Sequence, residues 1–293
     1  MALALLIAGM ALAAAGYASA RIVDPGRWTA RALRTLFWIG APASGIVATR
    51  TDVHAGLVIG LVAAWIVLGL SAAAVLRLTQ GRAPGDRAEL LLAVCWPNAA
   101  WLGFPVCVVV FGWAALPLAV AFSQLCTGPF TLVVLPGLVA ALVHARADWL
   151  GRGRAFAKNP YLICVSAGYA LDAAGVGFPP AVTDVGRTVL LLSTLPAFAA
   201  VGAVLAGHRL RVDAPTIRLA AARLTVASVP LLAMRAFLPI PGPFVVSAGM
   251  AVGMGSFGVA AVYGVPTRRL APVLALSTAL VLGAAAGVSM ARN

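Results

Sequence analysis

An all-α integral membrane protein is the fold class this sequence predicts, and three observations carry that prediction. The 293 residues are 62% hydrophobic and 10% charged, with a mean hydropathy of +1.01, whereas soluble domains carry about 25% charged residues. The apolar residues gather into ten runs, each close to the ~20 residues a helix needs to cross a hydrocarbon core of about 30 Å. The basic residues fall in short clusters on alternate connections between those runs. Backbone in lipid must satisfy its own hydrogen bonds, and the alternating strands of a membrane barrel are absent from the sequence, so a helical bundle follows.

Span 1, residues 2–20, ends in "YASA" at 17–20, the kind of small-residue stretch that precedes a signal-peptidase cut. A signal peptide carries its positive charge ahead of the apolar stretch. Here Arg21, Arg27, Arg31 and Arg34 follow it, so the run reads as a retained helix with its N-terminus outside. Span 2 (31–49) contains Pro42, and span 3 (55–77) runs unbroken to Arg77. Span 4 (88–111) contains "CWPNAAWLGFP" at 95–105, in which Pro97 and Pro105 each remove a backbone donor and Gly103 lowers helix propensity. Span 5 (114–143) leads into the longest polar interruption, "HARADWLGRGRAFAKN" at 144–159. Span 6 (160–177) opens on Asn159-Pro160, span 7 (184–206) contains Pro196, and spans 8 (216–238), 9 (243–264) and 10 (269–290) complete the count.

Basic residues in short loops mark the cytoplasmic side of a membrane protein. With the first connection placed there, that side also collects Arg77, Arg82, Arg87, Arg146, Arg152, Arg154, Lys158, Arg209, Arg211, Arg218, Arg223, Arg268 and Arg269. Only Arg50, Arg187, Arg235 and Arg292, four of the 21, fall on the other. One missed span would invert every later connection, so the asymmetry supports ten. The expected location is the cytoplasmic membrane, multi-pass, with both termini outside. The net charge of +13 reports this topology and a bilayer partner, not nucleic acid, because the basic residues form neither a face nor a tail. Cys95, Cys107, Cys126 and Cys164 lie within spans, form no CxxC pair, and read as free buried thiols.

The interruption at 144–159 divides the chain into residues 1–143 and 160–293, with five spans each. Five is odd, so the second set enters the membrane in the opposite sense, which is how an inverted repeat is built. Pro25, Thr29 and Pro42 recur as Pro179, Thr183 and Pro196 at an offset of 154. The same offset carries 95–105 onto 249–259, "GMAVGMGSFGV", the most glycine-rich part of span 9. Interrupted helices at membrane depth are tolerated where they are packed in protein or line a cavity, and in inverted-repeat transporters they bind substrate. Gly249-x-x-x-Gly253 also suits a close helix crossing, so both readings of span 9 stand.

"NAAWLGFPVCVVVFG", Asn98 to Gly112, resembles the Asn-x-x-x-Leu-Gly-x-Pro signature of the auxin efflux carrier (PIN-like) transporters. "GYASARIVDPGRWTARALRTLFWIGAPAS" (16–44), "KNPYLICVSAGYAL" (158–171) and "AVYGV" (261–265) are similar to other parts of that family. The resemblance implies ten spans in two inverted five-span repeats, akin to the bile acid sodium symporters, with spans 4 and 9 broken and crossing near the midplane. Spans 1, 2, 6 and 7 then form a scaffold, with helix breaks at Pro42 and Pro196, against which the crossing bundle moves as an elevator. It implies a carrier of small organic anions such as carboxylates or auxin-like acids. Asn98, Gly103 and Pro105 match the first crossover, while the second falls on Ala251, Gly253, Gly255 and Ser256. The family's proline there is Ala251, which leaves Ser256 as the one polar side chain of that half.

No cofactor is expected, and the coupling ion, proton or sodium, is left open, as is a homodimer. His54, His144 and His208 lie outside the spans or at their ends, and Asp172 in span 6 is the most embedded acid. Asp172 is therefore the candidate coupling acid, with a solvated helix end as the alternative. An intramembrane hydrolase would need an activated nucleophile, yet Ser256 sits outside a G-x-S-x-G pattern, since position 254 is Met, and no span holds a histidine. A channel or membrane sensor shares the polytopic signature and is the main alternative to a carrier.

Overall fold

The computed structural model describes residues 2–20, 34–51, 55–146, 148–208 and 210–291. The Pro25–Thr29 stretch, His54, Arg21, Arg27, Arg31, Arg209 and Arg292 lie outside the described residues. Among the described residues the chain is helical with no strand, and a single antiparallel bridge joins Pro97 to Val252.

Helix α1 is Ala2–Ser19; a π-helical turn, Leu36–Gly40, leads into α2, Ala41–Ala48; and α3 is Ala55–Leu78. The expected fourth span is two helices, α4 (Pro84–Cys95) and α5 (Gly103–Phe111). The fifth runs from a 3-10 turn at Trp113 through α6 (Leu116–Phe122), two π-helical turns (Ser123–Thr127 and Phe130–Val134) and α7 (Leu135–Leu142). The interruption at 144–159 holds a helix of its own, α8 (Trp149–Ala157), capped by the Asp148 carboxylate, which accepts from Gly151 N.

The second half comprises α9 (Pro160–Ala173), α10 (Pro180–Ser193), α11 (Leu195–Ala206), α12 (Ala214–Thr225), α13 (Ser228–Arg235), α14 (Gly242–Ala248), α15 (Gly255–Val262) and α16 (Leu270–Met290). Asp213 caps α12, accepting from the Thr216 hydroxyl and the Thr216 amide, and these bonds hold its carboxyl below the usual carboxylate range. Among the described residues five segments are long and apolar enough to cross a membrane: Ala55–Leu78, Trp113–Leu142, Pro180–Ala206, Ala214–Arg235 and Leu270–Met290. This supports a membrane protein. The expected fourth and ninth spans fall short of that length because they are interrupted, at 96–102 and 249–254.

Glycine sets how closely the helices pack. Helix α1 lies along α11 and α2 along α9. A Cβ on Gly16 would overlap the Ala199 carbonyl, and one on Gly202 would overlap the Ala13 carbonyl. In the other pair, a Cβ on Gly45 would come within 2.6 Å of the Cys164 carbonyl, and one on Gly168 would overlap the Gly45 carbonyl. Backbone cannot rotate aside as a side chain can. Gly202→Ala should therefore destabilise the protein by about 3 kcal/mol or more, read as a lower melting temperature in detergent. Gly283→Ala, where nothing lies within 4 Å of the added methyl, serves as the control and should leave the melting temperature unchanged or slightly raised.

Candidate functional site

The two deep interruptions meet. Asn98 N donates to Ala251 O at 2.8 Å, and Gly253 N donates to Trp96 O at 2.9 Å, flanking the Pro97–Val252 bridge. In an antiparallel ladder the residues between such bonds form the non-hydrogen-bonded pair, whose own N–H groups point away from the partner strand. Proline fits there because it has no N–H to lose. At the facing position Val252 does have one, and it donates to Ser277 Oγ at 3.3 Å. Ser277 is fully buried in α16 and donates in turn to Val273 O at 2.6 Å. The residue opposite the first proline is thus Val252 and not Ala251, whose carbonyl serves as acceptor for Asn98.

Each interruption strands helix-end carbonyls, and Arg223 takes them. Its guanidinium donates to Val94 O in the last turn of α4, to Ala248 O at the end of α14, and to Met250 O at 3.0 Å. The sequence placed Arg223 among the cytoplasmic basic residues. Its side chain is wholly buried on α12, bonded to both breaks. A helix continuing through either break would bond Asn98 N to Val94 O, or Val252 N to Ala248 O. All four of these groups are engaged elsewhere.

Gly253 and Gly255 seat the buried Trp96 indole. A Cβ on Gly253 would stand 2.5 Å from Trp96 Cδ1, and one on Gly255 2.6 Å from Trp96 Cζ2. Gly103 is different, since a Cβ there would meet its nearest neighbours at 3.5 Å, an ordinary contact. Pro105 is in the first turn of α5, where a helix has no use for an N–H, so it starts that helix. Pro97 sits in the break itself.

Beside the crossing lies a cavity of about 180 Å³. One wall is Trp96 to Trp101 with Gly253, Met254 and Gly255. The other is a polar stripe, Ser123, Gln124, Thr127 and Thr131, joined by Asn159 and Tyr161 at the start of α9. None of the lining residues is acidic, basic or histidine. Asn98 also borders a smaller pocket, with Trp101, Phe198 and Thr278. The stripe comes from the fifth segment, whose π-helical turns follow from its prolines. Pro129 has no N–H for Leu125 O, and the Trp65 indole donates to that carbonyl at 3.0 Å. Single π turns are frequent at functional sites. The sequence reading missed this stripe, although polar residues at 123, 124, 127 and 131 in an apolar run trace one helical face.

Of the residues singled out in the sequence, Asn98, Gly253 and Gly255 line the cavity, while Gly103, Pro105, Ala251 and Ser256 support the crossing around it. Ser256 is fully buried and donates to Gly253 O at 2.7 Å. Pro42 and Pro196 open α2 and α11, the first just after the π-helical turn, the second just after the discontinuity at Thr194. Asp172 stands partly exposed in the last turn of α9, outside the cavity lining. It is not the most buried acid. Among the described residues that is Glu89, 1% exposed, which accepts from Arg269 N at 2.6 Å and Leu270 N at 3.2 Å and so caps α16. No protein-family model matches the chain, and no curated protein matches it.

Proposed function

We propose that this protein is a secondary carrier of a small organic anion, such as a carboxylate, working by alternating access in the cytoplasmic membrane. The observation that carries the reading is the pairing of two interrupted helices, Asn98 to Ala251 and Trp96 to Gly253, beside a cavity lined by amides and hydroxyls. In transporters, such breaks turn half-helix ends and loosened backbone toward substrate. Helix α15 begins at the cavity, and its N-terminal end favours negative charge. Amide, hydroxyl and indole donors around it suit a group that only accepts hydrogen bonds.

Ten spans in two inverted halves are part of this proposal. Exchanging the halves carries the α1–α11 contact onto the α2–α9 contact, and the interruptions fall in corresponding segments. Helices α1, α2, α9, α10 and α11 would then form the scaffold and the crossing bundle the moving part, with both termini outside. The likeness of span 4 to the auxin efflux carriers belongs to this reading as well.

The test is uptake of radiolabelled carboxylates into proteoliposomes. A carrier should saturate and should show counterflow, in which internal unlabelled substrate accelerates entry of the label. Flux that rises linearly with concentration and without counterflow would establish a channel instead.

A further inference from the structure

We propose that the Arg223 guanidinium is the resident cation of the crossing, standing where unwound helices of this kind can coordinate a monovalent metal ion, so that transport needs no coupling metal cation. The transport part rests on the carrier reading above. The structural part does not.

Arg223 is wholly buried, and its hydrogen bonds run to three backbone carbonyls drawn from both interruptions: Val94, Ala248 and Met250. Among the described residues no Asp or Glu forms an ion pair with it. A buried charge without a counter-charge is costly, and satisfying three carbonyls requires only donors, not a charge. What makes a charge useful here is the convergence of two helix C-termini, each carrying about half a negative charge. Carbonyls at such ends are the ligands that hold sodium in broken-helix transporters. Here a covalently attached cation occupies them. A coupling ion must bind and leave in every cycle, and Arg223 cannot leave. The same charge is bonded to the crossing that walls the cavity, where it would attract an anion without any dissolved cation.

The experiment compares wild type, Arg223→Ala and Arg223→Lys in detergent and in proteoliposomes, with sodium, potassium or choline chloride at equal ionic strength. For wild type, equal melting temperatures and equal uptake in all three salts are expected. Arg223→Ala should melt lower, lose most uptake, and recover stability selectively with millimolar methylguanidinium over choline. Arg223→Lys keeps the charge and should stay stable and insensitive to sodium. Saturable stabilisation of wild type by sodium would overturn the proposal. So would an Arg223→Ala protein as stable as wild type, or one that methylguanidinium raises no more than choline. If Arg223→Ala cannot be purified folded, the wild-type and Arg223→Lys salt comparisons still decide. If wild type moves no substrate at all, the carrier reading fails, and the melting curves alone decide whether the guanidinium fills the cation position.

Discussion

Replacing Asn98 with aspartate should abolish carboxylate uptake while leaving the protein folded. The bonds that join the two interruptions are made by backbone groups, Asn98 N and Ala251 O, so the side chain can change without unpairing them. What changes is the wall of the cavity, which contains no charged residue. A carboxylate at that wall replaces a donor with an acceptor and repels an anionic substrate. Asn98→Ala, which only removes the amide, should weaken substrate binding about 10- to 100-fold, the cost of losing one hydrogen bond to a charged group. Initial uptake rates and melting temperatures of both variants make the comparison. Full uptake by Asn98→Asp would remove the anion from the proposal, and full uptake by both would remove Asn98 from the site.

A structural effect that also reaches function is expected at Gly253. An alanine methyl there would stand 2.5 Å from Trp96 Cδ1 and 3.2 Å from Pro97 O. Gly255 packs against the same indole edge, so the ring is already in close contact with this backbone. Gly253→Ala should therefore destabilise the protein by about 1–3 kcal/mol, the usual range for overpacking, and take uptake with it by pushing the two interruptions apart. Trp96→Leu in the same chain should restore much of the melting temperature, since it removes the ring and keeps an apolar side chain. A coupling above about 0.5 kcal/mol between the two sites in a double-mutant cycle is the expected reading. Strict additivity would show that Gly253 serves some purpose other than seating Trp96.

The sequence shows where the helices stop better than it shows what the stops do. Pro97 marks the first interruption, and counting 154 residues onward reaches the second, because chain-breaking residues act locally. The facing position proves to be Val252, which has no local signal. Its amide is held by Ser277, whose relevance exists only once α16 is packed. Arg223 counts as a topology marker in sequence because composition records on which connection a charge falls, not whether its side chain turns inward. Pro105 suggests a break and in fact begins a helix, since position within the turn decides whether a missing N–H matters. The polar stripe of Ser123, Gln124, Thr127 and Thr131 was legible in principle. Its π-helical turns were less so: Pro129 marks where a helical bond is lost, but the group that takes the freed Leu125 O, Trp65, comes from another helix.

The two interruptions also differ in what brings them about. Pro97 lacks its N–H from the moment of synthesis, so the first is written into the covalent chain. Val252 keeps its N–H, and nothing within residues 242–262 prevents that amide from bonding to Ala248 O in an ordinary helix. Only Ser277 and Arg223, brought by α16 and α12, take the two groups in opposite directions. The physical consequence is that the second interruption is conditional: it depends on contacts supplied by α12 and α16, whereas the first is carried by the chain itself.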